Sequence, residues 1–159
     1  MSPLPDKKSV LILGATGFIG RNLLDYYYNN PEWEVIAHAH TEIQCMRDSY
    51  PNCEWRFGNL IYEDTVRQII SSKPDVVLHF AAHTTGSKDV VERPWVHVTE
   101  NAVMGSWIFR ECIAYGVKHV VFPSCTTMLQ SHALPQTENN WSYDAPFEEK
   151  YFGVAKTKV

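Results

Sequence analysis

Gly14-Ala15-Thr16-Gly17-Phe18-Ile19-Gly20 places three glycines three residues apart, directly after the apolar run Ser9-Val10-Leu11-Ile12-Leu13 and ahead of a segment with helical periodicity. Each glycine answers a different need. Gly14 lets a strand turn sharply, Gly17 leaves no Cβ between the backbone and a diphosphate, and Gly20 lets helix and strand pack closely. The start of the helix, with Thr16, Phe18 and Ile19 around it, adds free N–H groups and a positive dipole end. A glycine turn between strand and helix therefore reads as a dinucleotide site. Histidine offers a second chemistry: His38 and His40 share one face of a strand, and His79 and His83 stand four apart. Neither pair has a Cys or carboxylate partner at a ligand spacing, so no metal site is expected.

The elements that must position these residues alternate along the chain. Phe18, Ile19, Leu23, Leu24 and Tyr27 recur at helical spacing until Asn29-Asn30-Pro31. Residues 34–38, 55–57, 75–80 and 118–122 read as further strands. Helices are predicted over 60–71, with Ile61, Thr65, Val66, Ile69 and Ile70 on one stripe, and over 95–115. The longer one turns Val98, Ala102, Gly105, Ile108, Phe109 and Cys112 toward a core and ends at Gly116. Strands separated by helices imply βαβ units, hence an α/β, Rossmann-type doubly wound parallel sheet in one domain over residues 1–159. Residues 124–146 read as an irregular excursion, and helical character returns from about Phe147.

The GxxGxxG spacing, with the wording Ala-Thr-Gly-Phe-Ile-Gly, resembles the extended short-chain dehydrogenase/reductase family of nucleotide-sugar epimerases, dehydratases and reductases. Val77-Leu78-His79-Phe80-Ala81-Ala82-His83 is similar to that family's fourth-strand motif, which implies that Phe80, Ala81 and Ala82 pass beneath the cofactor. Gly58-Asn59-Leu60 stands where the family has Gly-Asp-Leu, so Asn59, with Leu60 beside it, is expected at the adenine. Asn101 matches an asparagine on the family's long helix and is placed with the cofactor-binding residues. The resemblance covers nearly the whole chain.

It also implies a chemistry: hydride transfer at a sugar carbon, with a Tyr giving or taking the proton. A Lys four residues later holds the nicotinamide ribose and stabilises phenolate, and a Ser or Thr after the fifth strand binds the same substrate oxygen. Ser124 is the first choice for that hydroxyl and Thr126 the second. Tyr151-Phe152-Gly153-Val154-Ala155-Lys156 departs from the pattern, because Phe152 occupies the tyrosine slot. Phe152 and Lys156 share a helix face, whereas Tyr151 lies about 140° round from Lys156. Three explanations stand: Tyr151 swings in, which is the smallest change; proton transfer is lost and cofactor binding kept; or another acid serves. The wording Ser124-Cys125-Thr126 is similar to that of the family's combined epimerase/reductases.

NAD-specific relatives carry an acid at the end of the second strand. Here the region reads Ala37-His38-Ala39-His40-Thr41-Glu42. His38 and His40 can donate hydrogen bonds to a 2′-phosphate, which favours NADP over NAD, with Glu42 left as a displaced acid for NAD.

The chain has 159 residues, 45% hydrophobic and 20% charged, with a net charge of −4. That composition excludes a disordered chain, and the acidic balance argues against broad nucleic-acid binding. No apolar run approaches the roughly 18 residues of a membrane span, and the polar, proline-broken start does not read as a signal peptide. Cys45, Cys53, Cys112 and Cys125 form no CxxC pair and read as reduced thiols, so a cytoplasmic protein is expected.

Relatives in the resembled family continue into a smaller domain that grips a nucleoside diphosphate. These residues therefore read as the dinucleotide-binding portion, a fragment or truncated form. The partner of the complete protein would be a nucleotide-diphosphate sugar, and the helix at 151–156 is expected to be frayed, or covered by a second copy in a homodimer. A non-catalytic NAD(P)-binding sensor or scaffold is the alternative. Tyr26-Tyr27-Tyr28, Trp95, Trp107 and Trp141 read as packing residues, and Glu138, Lys88 and Arg93 are assigned no chemistry.

Overall fold

The computed structural model describes residues 7–93, 95–129, 137, 139, 142 and 151–158. Trp141, Glu138 and most of the 130–150 stretch lie outside the described residues. Five strands form one parallel sheet in the order β3-β2-β1-β4-β5: β1 Lys8–Leu13, β2 Trp33–Ala39, β3 Glu54–Phe57, β4 Val76–His79 and β5 His119–Val121. The described helices are α1 Phe18–Tyr28, α2 Gln44–Ser49, α3 Glu63–Ile70, α4 Ser87–Glu92, α5 Trp95–Tyr115 and α6 Phe152–Lys156, with a 3₁₀ turn at Thr126–Met128. The chain divides into two compact units, Met1–Ala82 with Ser106–Phe122, and His83–Gly105 with Pro123–Val159. The whole sheet belongs to the first.

The central strand explains the sheet's burial. Val10, Leu11, Ile12 and Leu13 are all fully buried, as a strand covered on both faces must be. Val10 and Ile12 pack with Val35, Ala37, Leu78 and Leu24, bordered by Tyr27, Tyr28, Trp33 and Trp55. Leu11 and Leu13 alternate with them and face the other way. The chain runs outward from β1 to β3 and then crosses to β4 on the other side. The topological switch point therefore lies at the carboxyl ends of β1 and β4, where Gly14 and Phe80 follow their strands.

Asp75 ties the opposite strand ends together. Ser9 donates to its Oδ2 from N–H at 3.0 Å and from Oγ at 3.2 Å, and Lys118 donates to Oδ1 at 2.8 Å. The Lys118 ammonium and then the Ser9 amide hold this carboxyl down at about 2.

Several expectations are corrected. The short helices α2 and α4 and the 3₁₀ turn are not legible in the sequence, because three to six residues cannot display a helical period; α2 buries no residue at all. α3 starts at Glu63 and not at 60, because Asn59 Oδ1 accepts the Ile61 N–H at 3.1 Å and the Asn59 carbonyl accepts that of Tyr62, making a turn first. On α5 the buried stripe runs through His97, Met104, Gly105, Ile108, Glu111 and Cys112, while Ala102 and Phe109 are exposed. The stripe includes two polar residues, which an apolar count skips. Glu111 is buried because Arg110 donates to its Oε1 at 2.7 Å; Arg110 and Arg67 both also pair with Glu63 on α3. Trp95 is exposed, not a packing residue. No described helix is long and apolar enough to cross a membrane.

Candidate functional site

The first unit carries the glycine turn. Gly14 has φ +82°, and a Cβ there would lie 2.8 Å from Ala81 Cα, so turn and post-β4 segment touch backbone to backbone. At Gly20 a Cβ would lie 2.0 Å from the Gly14 carbonyl oxygen. Packing alone therefore requires both. Gly17 is different: its φ is −73°, and a Cβ would meet only the Gly14 oxygen, at 3.3 Å. That contact is tight but looser than those at Gly14 and Gly20, and glycine there leaves the backbone bare to an approaching group.

Around Gly17 the donors are in place. The Gly17 N–H bonds the Gly14 carbonyl at 3.0 Å and that of Ala15 bonds the His38 carbonyl at 2.8 Å, which hold the turn with Thr16 half-buried in it. The first intrahelical bond of α1 runs from Arg21 to Gly17, so the amides of Phe18, Ile19 and Gly20 have no acceptor within the helix. Gly17 has no side chain to cap them and the first turn holds no acid. Phe18, 84% exposed, and Ile19 flank these amides as an apolar rim. Beyond β4, the Phe80 N–H bonds the Leu13 carbonyl at 3.0 Å, with Phe80 and Ala81 half-buried and Ala82 exposed. Open backbone, unclaimed amides and no resident carboxylate fit a diphosphate.

The end of β2 separates the two histidines named for a 2′-phosphate. His38 is 2% exposed and donates from Nε2 to the Gly58 carbonyl at 2.9 Å. Burial pushes its pKa down to about 4, against the Gly58 hydrogen bond, so the ring is neutral and packs within the sheet. His40, just past the strand, is exposed. Ala39, at the strand's last position, is buried and its carbonyl accepts the Gly58 N–H. Asn59 spends its side-chain oxygen on the turn before α3, and Leu60 is core.

The second unit holds the remaining candidates. Asn101 donates from Nδ2 to the carbonyls of His83, at 3.0 Å, and His97, at 2.7 Å, while its Oδ1 accepts the His83 N–H at 2.8 Å. Both amide protons are spent on backbone, so Asn101 braces the chain at His83. Beside that brace, His83 Nδ1 lies 2.7 Å from Glu100 Oε2. This pair was missed by sequence reasoning, since a separation of 17 residues carries no periodic signal.

Ser124 and Thr126 are both exposed, and Cys125 Sγ lies 2.9 Å from Thr127 Oγ1. The 3₁₀ turn packs against α6, which brings the hydroxyl segment and Lys156 into one neighbourhood. On α6 the Lys156 Nζ sits 5.7 Å from the centre of the Phe152 ring. Phenylalanine thus holds the face expected of the tyrosine, and Tyr151 precedes the helix as its N-cap residue, partly exposed.

A family profile, that of the NAD dependent epimerase/dehydratase family, matches residues 10–158. This chain belongs to that family. The solved UDP-glucose 4-epimerase of Thermotoga maritima, with UDP-glucose, superposes with a TM-score of 0.75 at 21% identity over 94% of this chain and 47% of that one. The GDP-mannoheptose C4 reductase of Campylobacter jejuni, with NADP bound, does so at 0.71 and 16% identity over 98% and 45%. By sequence, subunit beta of methionine adenosyltransferase 2 from Danio rerio is 36% identical over 87 residues, 54% of this chain and 24% of that protein. The chain spans 35% and 24% of the lengths of the first curated relatives it matches. A separate cleft of about 550 Å³ at the amino-terminal strand ends, lined by Ser9, Trp33, Glu34 and Glu54 among others, is away from the glycine turn.

Proposed function

We propose that this chain is the NAD(P)-binding portion of an epimerase, dehydratase or reductase that moves hydride at a sugar carbon of a nucleotide-diphosphate sugar. The observation that carries the reading is the glycine turn, where the amides of Phe18, Ile19 and Gly20 have no acceptor within the helix and Gly17 leaves the backbone bare to an approaching diphosphate. The amides of Phe18 and Ile19 would bind the phosphates, with Gly14 and Thr16 shaping the turn, and Phe80, Ala81 and Ala82 would lie along the dinucleotide. When bound, the dinucleotide would supply the hydride or accept it. Ser124, or Thr126 after it, would hold the reacting oxygen, and Lys156 the nicotinamide ribose. Tyr151 is the nearest phenol to the proton-transfer slot.

NADP is the preferred form in this reading, because buried Ala39 ends β2 where NAD-specific relatives carry an acid, and His40 is exposed beside it. Calorimetric titration of both coenzymes tests this. NADP binding tighter than NAD is the expected result, and NAD binding tenfold tighter would reverse the preference. Absence of binding by either, in a folded sample, would end the proposal.

One observation favours a second reading, a non-catalytic NAD(P)-binding module: the ring under the Lys156 ammonium is a phenyl, with no proton to give. Coenzyme binding without turnover of any nucleotide sugar would support it.

A further inference from the structure

The exit of β2 is tied to the glycine turn within one unit: the Ala15 N–H bonds the His38 carbonyl at 2.8 Å, and both lie in the stretch Met1–Ala82. About 20 residues past such a turn, a dinucleotide-binding fold meets the adenosine ribose, with an acid for a 2′-hydroxyl or an arginine for a 2′-phosphate. Buried Ala39 supplies neither. Just beyond it the chain supplies both. Glu42 follows the strand's end, and Arg47 on α2 reaches back to it as an ion pair, Nη1 to Oε1, with both side chains about half exposed.

The short helix puts the guanidinium there. The N–H groups of Met46 and Arg47 both bond the Ile43 carbonyl, at 3.1 and 3.3 Å, which closes a tight first turn. A helical side chain leans toward the helix start, and this carries Arg47 to Glu42. Core packing does not account for α2, since it buries no residue. Asp48, the other acid of this helix, is engaged by Gln44 Nε2 at 2.8 Å. An exposed ion pair adds little to stability, so a ligand group can draw off either partner at small cost.

We infer that the Glu42–Arg47 pair selects the coenzyme: Arg47 takes the 2′-phosphate of NADP, and Glu42 accepts from the 2′-hydroxyl of NAD. The inference rests on the dinucleotide reading above and names the residues that set its preference. A phosphate offers Arg47 more charge than Glu42 does, in the two-point geometry that a planar guanidinium matches. Glu42 is then displaced and repelled. With NAD the pair stays together, and the carboxylate accepts from the ribose while still bonded to Arg47. Arg47 thus sets the preference for NADP, and Glu42 limits it.

Calorimetric titration tests this with NADP, NAD and the nicotinamide-free pair 2′-phospho-ADP-ribose and ADP-ribose. The wild type should bind the phosphorylated member of each pair more tightly. Arg47→Gln should weaken both phosphorylated probes about tenfold or more while NAD and ADP-ribose still bind, which reverses the preference. Arg47→Lys should recover only part of the loss, having charge without the planar fork. Glu42→Gln should act in the other direction, tightening NADP and weakening NAD. If either Gln variant keeps the wild-type ratio of NADP to NAD affinity, the inference is overturned and the coenzyme reading stands. If the wild type binds none of the four probes, the coenzyme reading falls and this inference falls with it.

Discussion

A methyl group distinguishes two glycines that look alike in sequence. At Gly20 it would lie 2.0 Å from the Gly14 oxygen, so helix or turn must move. Gly20→Ala should cost about 3 kcal/mol or more in a denaturant titration. At Gly17 the same methyl meets one oxygen at 3.3 Å with φ already negative. Gly17→Ala should lower the melting midpoint much less than Gly20→Ala while weakening coenzyme binding at least tenfold, and unaltered affinity would separate that turn from the ligand. His38 gives a pH signature at the same scale. Its folded pKa of about 4 lies below the unfolded value of 6.5, so the unfolded chain takes up the proton first as pH falls. Stability should be whole above pH 6.5 and decline between 6.5 and 4, by at most about 3 kcal/mol. Denaturation midpoints for His38→Leu should lose that slope.

Elements that repeat their pattern for long enough declared themselves in the chain. The four apolar residues of β1 and the three-residue spacing of the glycines needed no tertiary information, and the bounds of α5 came out at Trp95–Tyr115 as read. Its buried face did not, because His97 and Glu111 are polar residues whose partners, Thr85 for His97 and Arg67 together with the adjacent Arg110 for Glu111, leave no mark in an apolar period. Asp75 was read merely as the edge of a strand, yet it joins β1, β4 and the approach to β5. Its carboxyl, held at about 2 by Lys118 and Ser9, lies below the unfolded carboxylate range. The stabilisation it brings is present above about pH 4 and disappears as pH falls toward 2. Asp75→Asn should therefore be less stable at neutral pH and show a flatter acid limb, measured by chemical denaturation across pH.

At the scale of the whole molecule, folding and coenzyme binding should be linked through the first unit. Cys53 and Cys112 both lie in that unit, buried, with burial raising their pKa to about 12 and about 11. Cys45 is exposed. A thiol reagent should label Cys45 at once and the buried pair only when the sheet opens. A coenzyme held at about 100 times its dissociation constant should slow the second phase about 100-fold by mass action. Labelling of Cys53 and Cys112 that ignores coenzyme would show that binding and sheet opening are independent.

The sequence by itself determined the parallel α/β architecture, the glycine turn and the family, because β-branched runs, glycine spacing and short motifs are local and survive in one dimension. It also exposed the phenylalanine at 152. Only the tertiary structure decided how closely each glycine of the turn is packed, which of two histidines is buried, that Asn101 is a brace, and that His83 meets Glu100. Each of those depends on atoms brought together from distant positions, and distance along the chain leaves no trace of them.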